Sequence, residues 1–527
     1  MIDLLKSWKN ALFCSVAAGC LVWGFMILQF WWGNHDWRYL QYGVAVSDGL
    51  FEARYSQHLF TAFLFNGQVL PIFTCIISLF ALSFMGCLAA IYLGFSADKK
   101  SSILFLCLLL SLPYTAIVFY YLFIALPLTF YAAFGVGILF FAQSPFRWWK
   151  FICGFTGVVL LLGSYPPILA LVVTIFVGQK LICYIKQKME LKDIFKACLF
   201  LGGQFLLAYA VTRGIWKYLT DQGVLNTQMY NLQMRHFNEL PEQILKELVA
   251  PLKNIGFFYQ TLGIQYAMFY AGILGTAVFK MFYLSKNKMI VLLGIGGLFL
   301  ASRLSFLLSA SAYLAEFRVA YWGQLGILIV AMCFLFDTER QWQRNLLFAS
   351  GFFFLFLFVR TDYDIQKVQY LKFRAERLYH TRLLERIFFH PNFDVTRSYV
   401  SLSVGYPNFK EHICGERCSQ FDNEVLSYTV MPADLISALF WDDMHNPVSD
   451  SRMGVWGKRL WFVGAFVLKP EDIATKVRDI RWWMYREAEA YPSLNSLYID
   501  DAYLIMNLDE LFFNQSKEII SKGLLTQ

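Results

Sequence analysis

From Ser101 to Phe146 the chain carries no charged side chain, and no other feature constrains the fold as tightly. A helix needs about 20 consecutive apolar residues to cross a bilayer core, so this stretch holds two crossings, with "SLPY" at Ser111 to Tyr114 as the turn between them. Shorter apolar runs of the same character cover Ala11 to Trp32, Leu70 to Ser96 and Phe151 to Gln179, the last with "GSYPP" at its middle. Others cover Ala197 to Lys217, Phe257 to Lys280, Met289 to Ser309, Ala320 to Phe336 and Asn345 to Val359. With 58% hydrophobic and 18% aromatic residues in 527 and a mean hydropathy of +0.49, the chain lies outside the range of soluble domains.

The charges trace the path through the membrane. Basic residues sit at the ends of apolar runs: Lys6 and Lys9, Lys99 and Lys100, Arg147 and Lys150, the dense segment from Lys180 to Lys196, "LSKNK" and "DTERQWQR". Because Lys and Arg favour cytoplasmic loops, these ends are expected inside, which gives about eleven spans, a cytoplasmic amino terminus and an external carboxyl terminus. The net charge of +8 is then a signature of topology and not of nucleic-acid binding. No A-x-A-like cleavage site follows the first run, so it reads as a retained span. After Arg360 no run is long enough to cross, and residues 361–527 are expected to form a soluble external domain of α/β or α+β type beside a membrane domain of residues 1–360. Nine of the 11 cysteines lie in or beside apolar runs. The other two, Cys414 and Cys418 in "CGERC", fit a short disulfide in an oxidising compartment, and their spacing also fits half of a metal site.

The first outer loop is crowded. "HDWRYLQYGVAVSDGLFEARYSQH", from His35 to His58, holds two aspartates, a glutamate, two arginines and two histidines directly after an apolar run. Trp31, Trp32 and Trp37 form an interfacial aromatic belt. A helix over Asp36 to Val46 would place Trp37, Leu40 and Val44 on one apolar face and leave Asp36 free of it; "SDG" ends it, and a second short helix would carry Glu52, Arg54 and His58. Each charge taken alone reads as an ordinary solvated loop residue. Taken together, an acid, a base and aromatic walls at the membrane surface are what chemistry on a lipid-linked substrate needs: a carboxylate that deprotonates a hydroxyl and cations that hold a phosphate.

"HDWRYLQYG", "GLFEARYSQHL" and "GSYPP", on about a dozen spans with an acid in the first external loop and an external terminal domain, resemble the GT-C class of polyprenyl-phosphate-sugar-dependent glycosyltransferases, and within it the bacterial GtrII-like glucosyltransferases. The resemblance covers the chain up to about Arg360. It implies that Asp36 is the catalytic base and Arg54 its partner or a phosphate ligand; His35, Arg38, Asp48, Glu52 and His58 of the same crowded loop are candidate substrate contacts. Where that family has an acidic pair, this chain has His35 and Asp36.

Further along, Arg303 stands inside an apolar run and "EFR", Glu316 to Arg318, opens the next. A charge within a span marks a functional site by default. On that reading Arg303 and Arg318 hold the donor phosphate; on the other, Arg303 snorkels outward or pairs with Glu316. Tyr165 in "GSYPP" is placed to contact sugar, while its prolines also serve to end spans. Arg213 and Lys217 read as interfacial snorkels. "TDYD", "WDDMHN" and "IDDAY" offer neighbouring carboxylates, read as solvated loops, since no further metal ligands recur at a fixed offset. No nucleotide-binding, G-x-S-x-G or H-E-x-x-H motif occurs, so nothing points to ATP-driven transport or a zinc peptidase.

The expected function is transfer of a hexose, glucose by the resemblance, from undecaprenyl phosphate to a glycan or lipid-linked glycan acceptor such as O-antigen at the outer face of a bacterial inner membrane. A single inverting displacement serves: Asp36 takes the acceptor's proton while Arg54, Arg303 and Arg318 stabilise the departing polyprenyl phosphate. That chemistry requires no metal and is compatible with a divalent cation. The rival readings are a lipid-linked polysaccharide polymerase or ligase, and a non-enzymatic carrier or flippase of lipid-linked sugar.

Overall fold

The computed structural model describes residues 2–29, 44, 54–95, 99–119, 122–142, 147–224, 240–308, 316–337, 340–394, 400–404, 497–499 and 503–507. Its helices are α1 (Ile2–Val22), α2 (Gly24–Leu28), α3 (Leu59–Phe65), α4 (Pro71–Tyr92), α5 (Lys99–Leu110), α6 (Ala116–Phe119), α7 (Leu122–Ile138) and α8 (Trp148–Leu162), then α9 (Ile168–Ile185), α10 (Leu191–Asp221), α11 (Leu240–Leu262), α12 (Ile264–Leu284), α13 (Lys288–Ser302), α14 (Leu304–Leu308), α15 (Glu316–Phe336) and α16 (Gln341–Phe388). Among the described residues, every apolar run of the sequence is largely helical, several of them split between consecutive helices. Among the described residues, seven helices are long and apolar enough to cross a membrane, or eight if the bent pair Lys100–Leu110 and Pro113–Phe119 is one span; α8 and α13 are shorter apolar helices. The protein is a helical membrane protein.

The core of the bundle is α15, in which every residue of the apolar stretch from Val319 to Phe336 is buried. It packs on α9, α12 and α13. Gly323 permits one of these approaches, because a Cβ there would lie 1.8 Å from the Ser302 carbonyl oxygen. At the other extreme stand α10 and the first part of α16, only 22% buried. Their outward faces carry Phe195, Leu199, Leu206, Phe352 and Phe356, all exposed, as helices do when lipid covers them.

Three helices break. The α5 segment bends by 47° at Leu112 and Pro113, where proline starts a new turn because it cannot donate to the preceding one. A second break at Arg303 separates α13 from α14. At the third, Trp23 separates α1 from α2, and the amide of Gln366 fills the gap. Its Oε1 accepts from the Met26 N–H at 3.0 Å and its Nε2 donates to the Val22 carbonyl at 2.8 Å. A side chain of α16 thus substitutes for the missing Met26-to-Val22 backbone bond, which matters because neither group could find water there.

The chain divides into two compact units, the first ending at Val368 and the second starting at Gln369. The expected boundary at Arg360 falls inside α16, which runs on to Phe388. No Gly or Pro interrupts residues 361–388, and Pro391 follows shortly after the helix ends, in keeping with the bias of pre-proline residues against helix. In the second unit, β1 (Val400–Val404) pairs in parallel with β3 (Tyr503–Asn507), and β2 (Leu497–Ile499) pairs antiparallel with β3. Asn392 Nδ2 donates to the Ile499 carbonyl at 3.2 Å.

Two local expectations change. Val44, expected on the apolar face of a helix from Asp36 to Val46, is buried but not helical, and its N–H donates to the Gly67 carbonyl at 2.7 Å. Arg54 and His58 lie on a turn before α3, with Gln57 N–H donating to the Arg54 carbonyl, and not on a short helix. That turn exists because its side chains are recruited elsewhere.

Candidate functional site

The turn from Arg54 to His58 docks onto "GSYPP". Helix α8 ends at Leu162, and the turn bonds to the carbonyls at that end: Tyr55 Oη donates to the Val159 carbonyl, which also accepts the Gly163 N–H, at 2.8 Å and Ser56 Oγ to the Leu160 carbonyl at 2.6 Å, while Ser56 N–H donates to the Gly163 carbonyl at 2.8 Å. Tyr131 Oη, from α7, donates to the Ser56 carbonyl. Glycine is required at 163, since a Cβ there would come within 2.2 Å of the Tyr55 ring.

This docking carries Arg54 to Tyr165. The Arg54 guanidinium carbon lies 5.3 Å from the centroid of the Tyr165 ring, and Arg54 Nη1 donates to Gln57 Oε1 at 3.4 Å. Stacking engages the face of the guanidinium, not its N–H edge, and the edge is the part that fits a phosphate. Tyr165, Ser56, Gln57 and His58 are all buried. Two segments singled out far apart in the sequence therefore meet at one place. His35, Asp36, Arg38, Asp48 and Glu52 lie outside the described residues, as do Cys414 and Cys418; the nine cysteines of the apolar runs are unbridged.

Arg303 is held inside the bundle. It is 1% exposed, and its Nε donates to Glu247 Oε2 of α11 at 2.6 Å, with the Glu247 side chain also 1% exposed. Glu247 Oε1 accepts from Gln243, one turn earlier, and the Phe306 ring stacks on the guanidinium with its centroid 3.6 Å away. An acid that Arg303 meets is thus Glu247. Glu316 opens α15 as expected, although its side chain is outside the described residues; Arg318, two residues on, is half-buried. Phe306 packs against Val319 and Ala320, next to Arg318, so the two arginines lie at one end of the bundle.

The sequence reading missed Glu247 and misjudged Asp362. The stretch "NELPEQILKELVAPLKN" reads as an outer loop of mixed polarity, yet on α11 it turns Gln243, Glu247 and Asn254 inward and leaves Leu245, Val249 and Leu252 exposed. Asp362 of "TDYD", expected to be solvated, is fully buried on α16 together with Gln366. On α11 the usable signal was a polar face opposite an apolar one, which in a membrane points the polar face inward; on α16 no such segregation marks Asp362, since Arg360, Asp364 and Lys367 are exposed while Phe358 and Ile365 share its buried side. Among the described residues no three His, Cys, Asp or Glu side chains gather as a metal site would require; the acids of "WDDMHN" and "IDDAY" lie outside those residues.

Compared with known protein families, curated proteins and solved structures, the chain has no significant match in any of the three.

Proposed function

We propose that this protein is a membrane glycosyltransferase of GT-C-like plan that moves a hexose from a polyprenyl phosphate to a glycan acceptor on the outer side of the membrane. The observation that supports it is the stacking of Arg54 on Tyr165, which joins the first-loop motif to the "GSYPP" motif. On this reading about eleven helices cross the membrane, the amino terminus is inside, and the second unit is external. Asp36 removes the proton of the acceptor hydroxyl; Arg54, held at the outer mouth by Tyr165, binds the phosphate that leaves; Arg318 adds a second cation. The charge of Arg303 is already countered by Glu247, so Arg303 acts on the site by holding α11 against α13. Incubating the purified protein with undecaprenyl-phosphate-glucose labelled in the sugar tests the reading: transfer to acceptor or water supports it, and label that stays on the lipid under every condition opposes it.

One set of observations favours a second reading, a carrier of lipid-linked sugar. Transporters place their sites at interrupted helices and at buried ionisable groups, and this bundle has breaks at Trp23, Leu112 and Arg303 with Glu247, Arg303 and Asp362 buried nearby in the chain or fold. The same assay separates the two, because a carrier moves the lipid without cutting its sugar bond.

A further inference from the structure

Asp362 is 0% exposed, and both of its carboxylate oxygens lack a hydrogen-bond partner among the described residues. An ionised carboxylate left bare in an apolar interior is costly, and proteins avoid it by protonation, pairing or coordination. No described lysine, arginine or histidine forms an ion pair with it. Its neighbours in sequence do not help: Arg360 and Asp364 lie on the exposed side of α16. The ring of Tyr266, on α12, lies 5.9 Å from that of Phe358, one helical turn before Asp362 on α16; Tyr266 is 1% exposed, and its phenol oxygen also has no partner among the described residues. Around the two stand aromatic rings, with Phe358 at 5.9 Å and Phe258 at 5.0 Å from Tyr266 between centroids.

More oxygens lie close by. Gln366 Nε2 donates both to the Asp362 backbone carbonyl at 3.1 Å and to the Val22 carbonyl at the break between α1 and α2. A carbonyl that accepts one N–H keeps a second lone pair. This corner of the fold thus gathers an unpartnered carboxyl group, a phenol oxygen and the second lone pair of the Val22 carbonyl, with no cation paired to them among the described residues.

We propose that Asp362 and Tyr266 form a binding site for a monovalent alkali cation of sodium size. Four features fix that class. All the ligands are oxygens, which suit hard cations. One carboxylate balances one positive charge, where a divalent ion would leave an excess in the interior. The groups are tightly enclosed, which favours a small ion. Finally, the aromatic faces attract a cation and repel an anion. The site stands at an interrupted helix, where membrane proteins bind sodium, and it neither requires the transferase reading nor belongs to it.

Thermal unfolding of the purified full-length protein in sodium, potassium or N-methylglucamine chloride at matched ionic strength tests the site. A ligand that binds only the folded state raises the midpoint as its concentration exceeds its dissociation constant. We expect the wild type to melt several degrees higher in sodium than in the other two salts, and Asp362→Asn and Tyr266→Phe to lose that increment. Equal midpoints for the wild type in all three salts would overturn the proposal, and so would a full sodium increment in Asp362→Asn. Should a variant fail to fold, binding of radioactive sodium to the wild type decides: saturable uptake of one ion per chain is expected, and no saturable uptake refutes the site.

Discussion

Glu247 and Arg303 neutralise one another inside the bundle, 2.6 Å apart and each 1% exposed. Removing one partner of such a pair strands the other charge, at a cost of about 3–5 kcal/mol, whereas replacing both with apolar groups of similar size is often neutral. We therefore predict that Glu247→Gln and Arg303→Met each lower the folded yield and the unfolding temperature, and that the double variant Glu247→Leu with Arg303→Met recovers most of the loss. Size-exclusion profiles and thermal unfolding give the answer. Additive losses in the double variant would mean that the two residues do not act as a pair.

Gln366 is predicted to matter through its two bonds across the break at Trp23. Gln366→Leu leaves the Met26 N–H and the Val22 carbonyl buried without partners, and each such loss costs about 1–3 kcal/mol. Hydrogen exchange should accelerate at Met26 and its neighbours in α2 more than elsewhere in the bundle. Unchanged exchange at Met26 would show that other groups hold the break.

Tyr165 is predicted to act through its ring. Tyr165→Phe keeps the surface on which Arg54 stacks and should leave the KM for donor within about twofold, while Tyr165→Leu, losing about 1 kcal/mol of cation–π attraction, should raise it several-fold. Arg54→Ala removes the charged hydrogen bonds themselves, typically about 1.5–3 kcal/mol, so kcat/KM should fall roughly ten- to hundredfold. If Tyr165→Phe and Tyr165→Leu behaved alike, the stacking would have no part in donor binding.

The apolar runs were legible because a crossing helix has no alternative: without water, its backbone must bond to itself. Among the described residues, each run from Ala11 to Val359 is indeed largely helical, though several are split between consecutive helices. The meeting of Arg54 with Tyr165 was legible only as two motifs, since the hydrogen bonds that join them run from Tyr55 and Ser56 to carbonyls at the end of α8, and carbonyls leave no mark in sequence. Glu247 and Asp362 were obscured for a different reason. Their stretches mix polar and apolar residues as solvated loops do, and only the helical spacing of Gln243 with Glu247 and of Asp362 with Gln366 separates a buried polar face from a wet one.

Topology gives another prediction. The basic residues place Lys188 and Lys288 inside, and Asn231 and Asp450 outside. Single cysteines at these positions, in a background without reactive thiols, should be labelled in intact cells by an impermeant reagent only at 231 and 450. Labelling at 188, or protection at 450 that cell lysis relieves, would invert or break the scheme.

The most direct test of the account is turnover by Asp36→Asn. The substitution keeps size and hydrogen-bonding capacity but cannot take the acceptor's proton, and general-base help is typically worth about 10²- to 10⁴-fold in rate, or roughly 3–5 kcal/mol of barrier. Measured at saturating donor, per amount of folded protein, Asp36→Asn is predicted to lose at least a hundredfold in kcat with donor binding retained, while Asp48→Asn and Glu52→Gln stay within a few-fold of wild type. Turnover of Asp36→Asn within a few-fold of wild type would contradict the account.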